Sequence, residues 1–169
     1  MTLTSAQAAK LLKKLNEEYA ATIERERQSC CFLASLGEDP ETVRPEYDYR
    51  ATGAELEELE RKIRKLKHAL NVFNTTHTVP GFDMTVDEML VYIPQLTKRK
   101  EKLAEMRAKL PKSRLDERLV RSSNIIDYVY VNYDINDAKT DFEQTSDELS
   151  RAQIALDTVN NTETFETEL

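Results

Sequence analysis

Two histidines and two cysteines are the obvious places to look for chemistry in this 169-residue sequence. His68 and His77 lie too far apart to share one helix face as ligands of a zinc-type site. A surface or packing role is the expectation for both. Cys30 and Cys31 are adjacent, and neighbouring cysteines seldom bridge because the ring they close is strained. No helix N-terminus or basic cluster stands beside them to stabilise a thiolate. Burial near the end of the first helix is therefore expected. With 3 glycines, the chain has too few for a phosphate-cradling loop. No catalytic residue and no cofactor-binding residue is assigned from these positions.

A second set is acidic. Glu57, Glu58 and Glu60 cluster in one stretch and are the candidates for holding a metal ion. They resemble, loosely, the carboxylate clusters with which all-α nucleotide pyrophosphohydrolases hold Mg²⁺. A metal-dependent enzyme of that kind is the alternative function, and a solvated helix turn is the plainer reading. A third set is basic: Lys98-Arg-Lys-Glu-Lys102 opens a run to Arg121 with ten basic and four acidic residues. Weak nucleic-acid binding through residues 98–121 is a further alternative. Against it stand the 31 Asp and Glu to 24 Lys and Arg, net charge -7, and the acidic C-terminal third. That balance argues against general affinity for nucleic acid or anionic lipid.

The elements that must position these side chains announce themselves by caps and spacing. Thr4-Ser-Ala-Gln7, Thr52-Gly-Ala-Glu55 and Thr85-Val-Asp-Glu88 fit the capping box, in which a hydroxyl and a Glu or Gln satisfy helix-start amides reciprocally. Asp134 is a fourth N-cap candidate. Leu56, Leu59, Ile63, Leu66, Leu70 and Phe73 step by threes and fours. So do Val86, Met89, Ile93, Leu96, Lys100 and Leu103. So again do Ile135, Ala138, Phe142, Thr145, Leu149, Ala152, Leu156 and Val159. These are heptads, the signature of left-handed helix packing. The first helix is less regular: Ala8, Leu12, Leu15 and Tyr19 fit, and Ile23 drifts off the stripe. The spacing predicts helices over about 4–36, 52–74, 85–110 and 135–160 within one elongated helical domain, 1–169. Ile125-Ile-Asp-Tyr-Val-Tyr-Val-Asn-Tyr133 is rich in β-branched and aromatic residues and predicts a strand. That strand needs a partner, either Glu117–Arg121 or the same strand of a second subunit.

No basic segment followed by an apolar one opens the chain, and its uncharged stretch Asn71 to Phe82 is too short and polar to span a bilayer. A protein without membrane association is expected. Two adjacent cysteines suit a reduced, cytoplasmic setting.

The second half, from about residue 50 to 169, resembles a septicolysin-like family of bacterial coiled-coil proteins. The likeness rests on Asn74-Thr-Thr76, the turn into Met84-Thr-Val-Asp-Glu-Met89, the basic helix, the hydrophobic strand and the ending Val159-Asn-Asn-Thr-Glu-Thr-Phe-Glu-Thr-Glu-Leu169. It implies a helical fold and a bacterial origin, and it supplies no catalytic residues.

The expectation is thus an all-α antiparallel helical bundle or set of long coiled-coil hairpins, with a short β element near 125–133. The expected function is non-enzymatic and structural or protein-binding. Apolar residues beyond the heptad seam, such as Val72, Ile154 and Phe165, ask for a second neighbour. A strand apolar on both faces invites pairing with its own copy. A homo-oligomer is expected, a dimer or a multiple of it, with Tyr128, Val129, Tyr130 and Val131 at the interface.

Overall fold

A computed structural model describes residues 1–114 and 127–169. In chain order the described elements are β1 (Thr2–Thr4), α1 (Ser5–Ser29), α2 (Pro40–Val43), α3 (Tyr49–Thr76), α4 (Val86–Arg107), β2 (Lys112–Arg114), β3 (Tyr128–Tyr130), α5 (Ile135–Thr162) and β4 (Thr164–Glu166). The fold is all-α with short β elements. The chain divides into two compact units, one of residues 1–77 with 157–169 and one of residues 78–156.

In the first unit α1 and α3 form an antiparallel hairpin. Thr4 caps α1 through the expected capping box: its hydroxyl accepts from the Gln7 amide at 3.2 Å, and Gln7 Oε1 accepts from the Thr4 amide at 2.9 Å. Ala8, Leu15, Leu59 and Leu66 are the buried centre, with Leu12, Ile63 and Leu70 packed against them. Where the first stripe drifts, Thr22 rather than Ile23 takes the buried place. Burying a leucine as completely as Leu66 contributes roughly 1.5–3 kcal/mol.

Two expectations about this hairpin need correcting. First, α1 stops at Ser29, short of residue 36. Leu33 and Leu36 are 95% and 107% exposed, so further turns would have no apolar surface to pack on, and packing supplies most helical stability. The chain turns instead through Gly37, at φ +89°, where the Glu38 amide donates to the Ser35 carbonyl at 3.0 Å. Second, α3 is capped by Asp48, not Thr52. Asp48 Oδ1 accepts from the Arg50 and Ala51 amides at 2.9 and 3.0 Å. Glu55, which would have completed the box with Thr52, is drawn to α1 instead.

The first unit is closed by β1 and β4, paired antiparallel in the register Thr2↔Glu166, Leu3↔Phe165 and Thr4↔Thr164. The Phe165 ring lies 5.2 Å from the Phe73 ring. Phe165, expected to seek a second neighbour, finds it within its own chain.

The second unit opens with a tight loop that aims α4. Val79 is fully buried and its amide donates to the Met84 carbonyl at 2.9 Å. Pro80 and Gly81 (φ +82°) turn the chain, with the Phe82 amide on the Val79 carbonyl at 3.1 Å, the pattern of a type II turn. Thr85 then caps α4 in the expected box with Glu88. Val86, Met89, Leu96 and Leu103 of α4 are buried, as are Ala138, Thr145, Leu149, Ala152 and Leu156 of α5. These are the residues the heptads single out. The helices run antiparallel: Tyr92, early in α4, donates its hydroxyl to Glu148, midway along α5, while Tyr133 just before α5 donates to the carbonyl of Met106, near the end of α4, at 2.7 Å. Pro94 sits inside α4 and denies the Leu90 carbonyl its helical donor.

The expected strand is present at Tyr128–Tyr130, and one of its edges is taken by a described segment just before it in the chain. It pairs antiparallel with Lys112–Arg114, in the register Lys112↔Tyr130, Ser113↔Val129 and Arg114↔Tyr128. The Val131 amide extends the ladder to the Pro111 carbonyl at 3.1 Å. Ile125, Ile126 and the anticipated partner Glu117–Arg121 lie outside the described residues.

Candidate functional site

The three carboxylates offered for metal share one exposed stretch of α3, and two are already engaged. Glu58 forms a two-pronged bond with Arg61, from Nε to Oε2 at 2.8 Å and from Nη2 to Oε1 at 2.6 Å, with Lys62 Nζ at 3.4 Å. Arg61 above all, with Lys62, holds its carboxyl at about 2. Glu60 Oε1 accepts the Tyr19 hydroxyl of α1 at 3.0 Å. Among the described residues no group of three or more His, Cys, Asp or Glu side chains is placed to hold a metal ion. The order of charge along α3, acidic then basic, is what directs Glu58 onto Arg61 at i+3.

The histidines are kept apart. His77 caps the end of α3 and stacks on Phe73 with ring centroids 4.8 Å apart. His68 stands with Arg64 and Lys67 on the wall of a groove of about 530 Å³ between α1 and α3, faced by Asn16 and Tyr19.

Cys30 and Cys31 are both exposed, and their expected burial is corrected. The cause is the early end of α1: Cys30 is its C-cap, with its amide on the Glu26 carbonyl at 2.8 Å, and Cys31 already lies outside the helix. Their sulfurs are 4.0 Å apart. The sulfur–sulfur hydrogen bond raises the Cys30 pKa above the ordinary thiol value. Nearby, Tyr47 donates to Glu26 Oε1 at 2.7 Å, a bond that pushes the phenol up to about 12.

The basic stretch of α4 is partly spent on packing. The Arg107 guanidinium lies 3.5 Å above the Phe142 ring and Lys100 Nζ lies 5.8 Å from it. A cation over an aromatic face contributes about 0.5–2 kcal/mol. Lys100, the lone charge at a heptad position, is thus accommodated by an aromatic partner.

The residues expected at an interface form the outer part of the β2–β3 ribbon. Tyr128, Val129 and Tyr130 are 48%, 48% and 63% exposed, and Val131 is half-buried. Tyr128 and Tyr130 share one face of the strand, Val129 and Val131 the other. Lys112 Nζ reaches 4.0 Å from the Tyr128 ring and 5.3 Å from the Tyr130 ring. Lys112 escapes sequence reasoning because Pro111-Lys-Ser-Arg114 has no β-branched or aromatic residue to mark a strand. The ribbon thus offers an aromatic face held by a lysine and an aliphatic face opposite it. It presents contact area and hydrogen-bonding hydroxyls.

No protein-family model matches this chain, and no curated protein matches it. One solved structure is similar: the crystal structure of a functionally unknown conserved protein from Corynebacterium diphtheriae. It matches with a TM-score of 0.58 at 15% sequence identity, over 98% of this chain and 100% of the other. At that identity the likeness bears on the fold alone. Among the described residues, no helix is long and apolar enough to cross a membrane.

Proposed function

We propose that this chain is a non-enzymatic structural or protein-interaction module that works as a homo-oligomer, a dimer or a multiple of it, joined through the β3 ribbon. The observation that carries the reading is the exposure of Tyr128, Val129 and Tyr130 on a strand whose described pairing uses one edge. A two-stranded ribbon is marginal in water by itself. Pairing of β3 with the same strand of a second copy would widen the sheet and cover aromatic groups, and a twofold axis satisfies both copies at once. Tyrosine is among the residue types enriched at such contacts. A place in the septicolysin-like family of bacterial coiled-coil proteins and a cytoplasmic setting belong to the same proposal.

Sedimentation equilibrium across a micromolar concentration series tests it. A mass above one chain that grows with concentration is expected, and Val129→Lys with Val131→Lys should return it to one chain with helical content retained. A mass of one chain at every concentration overturns the proposal.

A further inference from the structure

We propose that Cys30 and Cys31 form a chelating dithiol for a thiophilic three-coordinate centre that brings its own third substituent, of the organoarsenic(III) class. Three observations combine. Both thiols are exposed, so a ligand reaches them without opening the fold. Their sulfurs stand 4.0 Å apart, with the Cys30 thiol turned toward the Arg27 carbonyl at 3.8 Å, so a single large atom can bridge them with small side-chain rotations. No third metal-binding side chain joins them, since no described group of three His, Cys, Asp or Glu residues could hold an ion.

That last point selects the ligand. Zinc in a closed protein site takes four ligands, and two thiols leave half of the positions unfilled. An arsenic(III) centre carrying one carbon substituent needs two sulfurs and no more. A direct disulfide between neighbours closes a strained ring, whereas inserting one atom between the sulfurs relaxes it. Soft thiolate ligands suit soft centres of this kind. Adjacent thiols on one chain also make the second bond intramolecular, which strengthens retention by about 10²-fold or more over two separate thiols.

The reaction is a condensation. With phenylarsine oxide, the two S–H bonds and the arsenic–oxygen bond break, two arsenic–sulfur bonds form, and the oxygen leaves with both protons as one water. Arsenic stays in the trivalent state, so neither oxidant nor reductant is consumed.

Phenylarsine oxide is the probe. Adding one equivalent to the full chain should give a one-to-one adduct by intact mass, with the mass of one water lost, and should remove both thiols from a thiol count. The adduct should survive millimolar glutathione and be stripped by ethane-1,2-dithiol. Far-ultraviolet circular dichroism should stay unchanged, because both sulfurs lie at and beyond the helix cap. Cys30→Ser and Cys31→Ser, at exposed positions, should fold normally and lose retention against glutathione by about 10²-fold. Loss of one thiol per equivalent, or glutathione removing the label from the native chain as readily as from either variant, overturns the proposal.

Discussion

Across the α1/α3 hairpin, acidic side chains of α3 reach for donors on α1. Glu60 accepts the Tyr19 hydroxyl, and Glu55 accepts the Thr22 hydroxyl at 2.9 Å and the Arg25 guanidinium at 2.8 Å. Across the α4/α5 hairpin the cations go to an aromatic ring: Arg107 and Lys100 both address Phe142, and Tyr92 donates to Glu148. Both hairpins carry heptad stripes and both bury leucine at their centres. What differs is how each stripe is flanked. The first hairpin needs its polar rungs because α1 departs from the heptad at Thr22, a buried hydroxyl that must be bonded and is, to Glu55. The second keeps its register throughout and tolerates a lysine at the seam because the methylene stem can lie along apolar surface. Where the stripe departs from its period, at Thr22, a specific polar contact comes with it.

Substitutions in the two hairpins should have effects of graded size. The largest effects belong to the shared feature. Leu66→Ala and Leu96→Ala each remove a fully buried leucine, one from each hairpin, and each should cost about 2–5 kcal/mol in urea unfolding. Hydrogen exchange would show protection lost first in the hairpin that carries the change. Next comes the polar rung. Thr22→Val keeps the shape and deletes the hydroxyl that Glu55 accepts, and about 1–2 kcal/mol is expected from circular dichroism melts. The corresponding change in the second hairpin, Arg107→Ala, should cost about 0.5–2 kcal/mol through the lost ring contact. Helix caps give a finer test. Asp48→Ala should destabilise by about 1 kcal/mol, whereas Thr52→Ala should be nearly neutral, since Asp48 holds the α3 cap.

The smallest effect is one of pH. Glu58, held at about 2 by Arg61, loses its proton more readily in the folded chain than in the unfolded one, where a glutamate titrates near about 4.3. Its contribution is complete above the unfolded value and disappears as pH falls from there toward about 2. Glu55 is lowered too, by Thr22 first and then Arg25, and Glu88 by the Thr85 amide. Melting temperature should therefore decline as pH is taken below 4.3, and Glu58→Gln should flatten part of that decline.

Much of the helical frame was legible in the residues, for a physical reason. On α5 each apolar position of the stripe from Ala138 to Val159 is buried or, for Phe142, half-buried, because a periodic face can be satisfied only by burial. The boxes at Thr4 and Thr85 were legible because every group they need lies within four residues. What escaped depends on distant partners. Thr52-Gly-Ala-Glu55 has the local form of a cap, yet Glu55 finds donors on α1, 30 and 33 residues earlier in the chain. The exposure of Cys30 and Cys31 followed from an absent neighbour for Leu33 and Leu36, which no local pattern records. The β2 strand was hidden because its pairing is set by backbone and by Lys112 over two rings, not by β-forming residues of its own. For the candidate site, the tyrosines were readable as a strand and their lysine partner was not.

The pairing of β1 with β4 has a mechanical side. Thr2 faces Glu166 and Thr4 faces Thr164, so residues 1 and 169 leave the ladder at the same end. Tension applied between them loads the rungs in succession, beginning at Met1 and Thr167, which exchange hydrogen bonds at 2.7 and 2.9 Å, and never all together in shear. The two strands would peel at low force, as a zipper opens, and Phe165 would be drawn off Phe73 only after the first rung had parted. A handle attached at either end would therefore report on this closure before it reported on any helix.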